Sequence, residues 1–414
     1  MKGRNIVVIM SDEHNPAFMG CSGHPFIKTP HLDALAARGV RFPNAYTPSP
    51  ICVPARAAFA TGQRVHQTRH WDNAMPYIGD PSGWGHALQE HGVRVESIGK
   101  LHYRNEEDPV GFDAEHIPMH VLGGHGMVWA SIRDPYLPSQ GRKRMLGERI
   151  GIGESPYTAY DRSVTERTLD WLRNAAAKDR PFALYVGLVA PHFPLIAPQA
   201  FYALYDARQI PQAKLHPKQG YERHPWVQAY AEFERSEETF ADENERVSAF
   251  LAYYALCSFL DSNVGRILSE LETLGLKDST HVVYTSDHGD NVGARGLWGK
   301  STLYQESVGI PMLLAGPDVS PGCARRPWTC SICIPPYCRP WAWMPGPIWI
   351  SAQANPCLRS PTAIRSAARH SERVPRRRQQ HRRLHAPERP VEVSPLCPFR
   401  AGALQPRAGP RRAP

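Results

Sequence analysis

The chain has 414 residues, 42% of them hydrophobic, with 40 prolines, nine cysteines and a formal net charge of +9. That length allows one large domain or two ordinary ones, with a sizeable core, and no run of 18 or more apolar residues offers a membrane-spanning helix. The charge is unevenly spread: residues 323–414 hold 17 Arg, no Lys, no Asp and three Glu, so residues 1–322 are net acidic. The opening residues run straight into a short apolar segment and lack the longer apolar region and cleavage site of a secretory signal, so a cytoplasmic protein is expected. Only Cys21, Cys52 and Cys257 precede the tail, too few for a disulfide framework.

In chain order, residues 5–10 form an apolar run expected for a strand buried on both faces. Residues 31–38 have helical apolar spacing, with Gly39 as a stop signal. Residues 93–98 read as a second strand. The Gly- and Pro-rich stretch 123–160 reads as a long surface excursion. Residues 182–189 form a third strand, and 245–274 a long amphipathic helix ending at Gly275. Residues 281–285 and 310–315 supply a fourth and fifth strand. No internal repeat is present. Strands alternating with helices predict an α/β protein, an α/β/α sandwich around a central mixed, largely parallel sheet.

Chemically capable residues sit just after the strands. Ser11-Asp12-Glu13 follows the first, Gly99-Lys100-Leu101-His102 the second, Ala190-Pro191-His192 the third and Asp287-His288-Gly289-Asp290 the fourth. Open α/β sheets bind ligands beyond the carboxyl ends of their strands, so these segments are expected to converge. Asp12, Asp287 and His288 offer two hard oxygens and an imidazole, a donor set for a divalent cation. Lys100, His102, His192 and Lys300 bring positive or proton-bearing groups that suit a tetrahedral oxyanion.

Cys52-Val53-Pro54-Ala55-Arg56 has the form Cys-x-Pro-x-Arg, and Thr61-Gly62 follow. This run resembles the signature of type I sulfatases, whose cysteine is oxidised to formylglycine, the catalytic aldehyde. Further matching segments occur in family order: the strand with Asp12, Thr29-Pro30-His31-Leu32-Asp33, Gly99 to His102, His192, Asp287-His288-Gly289 and Gly299-Lys300. Residues 5–316 therefore resemble the N-terminal catalytic domain of the sulfatases, within the alkaline-phosphatase-like superfamily. The resemblance implies a sulfuric ester hydrolase acting on a small sulfate ester, with a formylglycine-generating enzyme as a required partner.

The resemblance also implies roles. Asp12, Asp287 and His288 would hold a divalent metal with the modified Cys52, calcium foremost, with manganese and magnesium as alternatives. Glu13 stands where the family more often has Asp or Gln, and is carried as a further ligand. Arg56 would hold and orient formylglycine. Lys100 and His102 would form a pair beside it, and His192 and Lys300 would bind the sulfate and assist departure of the alcohol. The aldehyde would hydrate to a diol, one hydroxyl attacking sulfur and the second, deprotonated by His102, expelling sulfate. Asp287-His288 and Trp71-Asp72-Asn73 resemble the branch of choline sulfatases and phosphonate monoester hydrolases, which leaves phosphonate or phosphodiester hydrolysis as the alternative. In that branch Asn73 would touch substrate, although a turn-forming Asn reads equally well. Trp84, Trp129 and Trp298 read either as pocket lining or as core.

Residues 1–322 are thus expected to be the catalytic domain, and 323–414 a separate tail. The tail has 16 Pro and clustered Arg, with little periodic apolar pattern, so it is not expected to pack. Neither nucleic acid nor membrane is expected as a partner, and self-association is left open. Reading codons 328–338 from their third base permits Asp-Leu-Leu-Asp-Leu-Tyr-Pro-Thr-Val-Leu, a segment resembling sulfatases at this point. The tail therefore reads as an out-of-frame translation beginning between residues 316 and 328, and the chain as a candidate inactive truncated product.

Overall fold

The structure, a computed structural model, describes residues 5–126, 146–176, 180–324 and 328–329. Its central strand, β1 (Asn5–Asp12), is buried along all eight residues. Side chains alternate across a strand, and both faces of this one are apolar. Val7 and Ile9 enter one core, Ile6, Val8 and Met10 another.

The other strands of the main sheet are β2 (Val40–Arg41), β3 (Arg94–Lys100), β4 (Ala114–Met119), β5 (Phe182–Pro191), β6 (Thr280–Ser286), β7 (Met312–Ala315) and β8 (Gly322–Cys323). Their order is β8-β2-β7-β6-β1-β5-β3-β4. β1 lies parallel to both β5 and β6, and β3 is parallel to β5 and β4. β7 is antiparallel to β6 and β2. The sheet is mixed and largely parallel, as the sequence implies. The carboxyl ends of β6, β1, β5 and β3 lie side by side on one rim.

Helices cover both faces. On one side α1 (Pro30–Ala37), α3 (Pro156–Ala176) and α4 (Glu243–Thr273) contribute Leu32, Val164, Leu172, Phe259, Leu260 and Ile267 to the first core. On the other, α2 (Cys52–Thr61) contributes Ala57 and Phe59, alongside Trp84 and Leu88. α4 starts two residues earlier than its apolar pattern suggests, because the Asp242 carboxylate accepts from the Glu245 N–H at 2.8 Å and caps the first turn.

The excursion expected over 123–160 is shorter than its composition suggests. Gly151–Ile152 pairs with Ile196–Ala197, and Pro156 is already the first residue of α3. Proline is tolerated at a helix start, where its missing N–H has no partner to lose. Residues 127–145, with Trp129, lie outside the described residues. Trp84 and Trp298 are core: Trp84 packs edge-on against Phe59, and Trp298 packs on Phe250 with its indole donating to Glu237 at 2.8 Å. At the expected domain boundary, Gly322–Cys323 pairs with Val40–Arg41, and Trp328–Thr329 with Ala45–Tyr46. Residues 330–414 lie outside the described residues.

One buried carboxylate ties the helical layer together. Asp261 in α4 accepts from the N–H groups of His31 and Leu32, at 3.2 and 2.7 Å, and so fixes the start of α1. Asp261→Ala leaves both donors without an acceptor and is expected to destabilise the fold by about 2–4 kcal/mol. Urea unfolding measures it; a loss under about 0.5 kcal/mol would show that water replaces the carboxylate.

Candidate active site

Cys52 is the first residue of α2, and the whole first turn is buried. Asn73 helps set that start: its side-chain oxygen accepts from the Val53 N–H at 3.0 Å. The acceptor that sequence reasoning offers to substrate is thus engaged by the helix. The Ala-rich continuation of α2 lets the helix lie close on the sheet, and Arg56, one turn on, passes beneath Cys52 into the rim.

Arg56 is buried and uses its whole planar fork. Nε donates to Asp287 Oδ2 at 2.9 Å, and Nη2 to Asp12 Oδ2 at 3.0 Å. Nη1 donates to the Lys100 carbonyl at 2.9 Å and to Tyr185 Oη at 3.0 Å. Each aspartate therefore gives one oxygen to the guanidinium and turns the other towards Cys52 and His288. Asp12 Oδ1 is 3.7 Å from Cys52 Sγ and 3.8 Å from His288 Nε2; Asp287 Oδ1 is 3.6 Å from the same nitrogen. Burial alone would raise the Asp12 pKa, but the charges of Lys100, Lys300 and Arg56 outweigh it and hold the carboxyl well below its ordinary range.

His288 Nδ1 faces the Gly289 carbonyl at 2.9 Å. The carbonyl can only accept, so Nδ1 carries the proton and Nε2 presents a lone pair to the cluster, 3.2 Å from Cys52 Sγ. Ligand atoms of Asp12, Cys52, Asp287 and His288 all lie within 4.8 Å of one another. Glu13, in left-handed backbone conformation, also turns inward, and its buried carboxylate oxygens lack hydrogen-bond partners. They lie 3.6 Å from Lys300 Nζ and 3.4 Å from His192 Nε2, and burial pushes the carboxyl pKa well above its ordinary value. Hard carboxylate oxygens, one imidazole lone pair and an unsatisfied buried carboxylate fit a divalent cation.

The cationic side is equally ordered. Lys100 Nζ pairs with Asp12 Oδ2 at 2.5 Å. Its approach depends on two glycines: a Cβ on Gly99 would meet the Gly187 carbonyl at 2.3 Å, and one on Gly187 the Lys100 carbonyl at 2.1 Å. Lys300 Nζ lies 3.0 Å from Cys52 Sγ and 2.9 Å from His192 Nε2. Burial disfavours the Lys300 ammonium, but the acidic groups around it outweigh that and keep its pKa well above the usual lysine value. His192 Nδ1 donates to the Phe193 carbonyl at 2.6 Å, so its Nε2 accepts from Lys300. Burial, then Lys300, holds His192 neutral; burial, then Lys100 and Arg56, does the same for His102. His102 has a positive φ of 58° and a buried Nδ1 without a hydrogen-bond partner.

Burial and Asp12 push the Cys52 thiol up to about 11, so the encoded side chain is a neutral thiol at pH 7 and a weak nucleophile. Arg56 makes no hydrogen bond to Cys52; its fork is spent on the two aspartates, a carbonyl and a tyrosine. Sequence reasoning gives no role to three residues that shape the site. Tyr185 Oη bridges Arg56 and the Lys100 carbonyl. Tyr253 Oη donates to the Glu13 carbonyl at 2.7 Å. Asp290 accepts from the Val292 and Gly299 N–H groups at 2.7 and 3.0 Å, closing the loop that delivers Lys300. Asp290 carries a local signal, since it follows Asp287-His288-Gly289; the tyrosines lie within ordinary apolar patterns.

A sulfatase family model matches residues 4–327, and the chain belongs to that family. It is 31% identical to a choline-sulfatase of Rhizobium meliloti over 78% of this chain and 64% of that protein. It is 30% identical to arylsulfatase K of Bos taurus over 76% of this chain and 58% of that one. The chain thus spans less than two thirds of the length of these curated relatives. Its fold resembles the phosphonate monoester hydrolase of Agrobacterium radiobacter, with a TM-score of 0.64, 20% identity, and 80% of this chain and 72% of that one covered. No helix among the described residues is long and apolar enough to cross a membrane.

Arg56→Leu would leave Asp12 and Asp287 buried without their shared counter-charge. A loss of about 3–5 kcal/mol is expected, measured by urea unfolding without added metal. A loss below about 1 kcal/mol would mean that the carboxylates protonate or admit water instead.

Proposed function

We propose that the chain's catalytic domain hydrolyses sulfate esters, with Cys52, once oxidised to formylglycine, as its nucleophile. The observation that carries this reading is the surroundings of Cys52 Sγ. One buried atom lies 3.0 Å from a lysine ammonium, 3.2 Å from an imidazole lone pair and 3.7 Å from a carboxylate oxygen. A structural thiol needs none of these neighbours, whereas an oxygen nucleophile beside a metal and an oxyanion needs all three.

Asp12, Glu13, Asp287 and His288 would hold a divalent metal, calcium foremost, together with the modified Cys52. Such a cation polarises the sulfuryl oxygens and favours the ionised form of the attacking hydroxyl. The protein's own groups account for the rest. Lys100 and Lys300 face the negative charge of the sulfate. Lys300 holds a proton between Cys52 and His192, and the Lys300–His192 pair supplies it to the departing alcohol oxygen. Neutral His102, with an unpartnered nitrogen, suits acceptance of a proton from the nucleophile afterwards. Arg56 acts by fixing Asp12 and Asp287, so that each presents a single oxygen. The match to choline-sulfatase supports a small alkyl sulfate as substrate. Residues 323–414 are read as an out-of-frame translation, and a nucleotide sequence without a family-like alternative frame would refute that part.

Two experiments test the reading. Modified, calcium-loaded protein is expected to release sulfate from choline sulfate or an aryl sulfate, and Cys52→Ser to lower steady turnover at least about a thousandfold, since a plain hydroxyl cannot expel sulfate by elimination. Faster turnover of a phosphonate monoester than of either sulfate would favour the other hydrolase, and full activity in Cys52→Ser would end the nucleophile assignment. Separately, calcium at about 100 times its Kd is expected to stabilise the fold by about 2.7 kcal/mol. Thermal melts with and without a chelator check this, and the shift should vanish in Asp287→Ala.

A further inference from the structure

His192 reaches Lys300 because β5 leaves its neighbours at a defined point. Met10 pairs with Gly187, but Asp12 pairs with Pro191, so β5 carries two extra residues opposite the two steps of β1 from Met10 to Asp12. On its other side, pairing with β3 runs only to Gly187. The N–H groups of Val189 and Ala190 are buried here, beyond reach of either ladder. Both donate instead to one carboxylate: Val189 to Asp161 Oδ1 at 2.7 Å and Ala190 to Asp161 Oδ2 at 2.8 Å. Asp161 is fully buried in α3. One helical turn earlier, on the same face, the Tyr157 ring meets the His192 ring edge-on, with centroids 6.0 Å apart. The His192 N–H returns to the Val189 carbonyl at 3.0 Å, so a shift of Val189 moves the imidazole directly.

We propose that Asp161 is a positioning residue for the reaction: by holding the Val189 and Ala190 amides at the strand irregularity, it aims His192 Nε2 at Lys300. An ordinary buried cap would serve only the strand. This one fixes the amides of two residues just before the imidazole, and its helix also supplies the ring against which the imidazole rests. The inference rests on the role given above to the Lys300–His192 pair, yet the placement of the imidazole can be measured without turnover.

The test uses the full chain with ¹⁵N-labelled histidines, His192 being assigned by its loss in His192→Gln. The unaltered protein is expected to show a single tautomer at His192, protonated on Nδ1. Asp161→Asn turns an amide donor towards one of the two N–H groups. It is expected to shift the His192 ring nitrogens towards tautomer averaging, while the other histidines stay unchanged. Should that variant fail to fold, Asp161→Glu keeps both acceptor oxygens on a longer arm and is expected to give the same shift. Unchanged His192 resonances in a folded variant would overturn the proposal. In modified, metal-loaded protein, Asp161→Asn is expected to lower kcat at least about tenfold on an alkyl sulfate and less than about threefold on 4-nitrophenyl sulfate, with KM little changed, because only the poor leaving group needs the proton. Equal losses on both esters would reduce Asp161 to a structural cap. If His192→Gln itself shows no leaving-group dependence, the proton-donor role fails, and the resonances alone decide the positioning.

Discussion

A single guanidinium joins the ends of the two central strands. Arg56 takes one oxygen from Asp12 at the end of β1 and one from Asp287 just beyond β6, and much of the site's order follows from that division. Two carboxylates buried this close repel, and burial favours their protonation. With Arg56 between them that repulsion is offset, and the geometry of the fork turns their second oxygens to the same side. Lysine could supply the charge but not the planar bidentate hold. The remaining oxygens, the His288 lone pair and Cys52 then share one small volume, with Glu13 beside it.

The arrangement sets acidic and basic groups against each other before any ligand enters. Arg56 holds Asp12 and Asp287, Lys100 pairs with Asp12, and Lys300 stands beside Glu13, all of them deeply buried. Such a cluster is a poor source of stability, since desolvation offsets much of the attraction. Its value is pre-organisation: the groups already stand where a cation and an anion would bind together. Much of the sequence around them serves placement. Gly99 and Gly187 let β3 and β5 approach, Asp290 closes the loop before Lys300, and Asp161 holds the strand before His192.

The parts legible in the sequence are those with a local signature. The strand that leads to Asp12 is apolar on both faces, and that pattern follows from burial in a central parallel position. The Cys52-to-Arg56 spacing places both residues on one helical turn, and post-strand polar residues identify the rim. Asn73 could be read as a turn residue or a substrate contact because its actual partner, the Val53 amide, is 20 residues away in sequence. The inward turn of Glu13 depends on backbone geometry and on Tyr253, some 240 residues later. Tyr185 and Asp161 were illegible for the same reason: each sits in an ordinary strand or helix pattern, and its role arises only where elements cross. The early start of α3 was hidden by composition, since Pro156 reads as loop unless the helix after it is recognised.

The account rests on Cys52 as a precursor rather than as a thiol. Its surroundings keep the thiol neutral and set Sγ between the candidate cation ligands and Lys300. The most direct measurement is mass spectrometry of the peptide carrying residues 52–56, from protein produced with a formylglycine-generating enzyme and active on a sulfate ester. The account predicts that the Cβ of Cys52 has lost its sulfur and been oxidised to an aldehyde, with the modified fraction tracking specific activity. An active preparation in which Cys52 remains entirely thiol would contradict it.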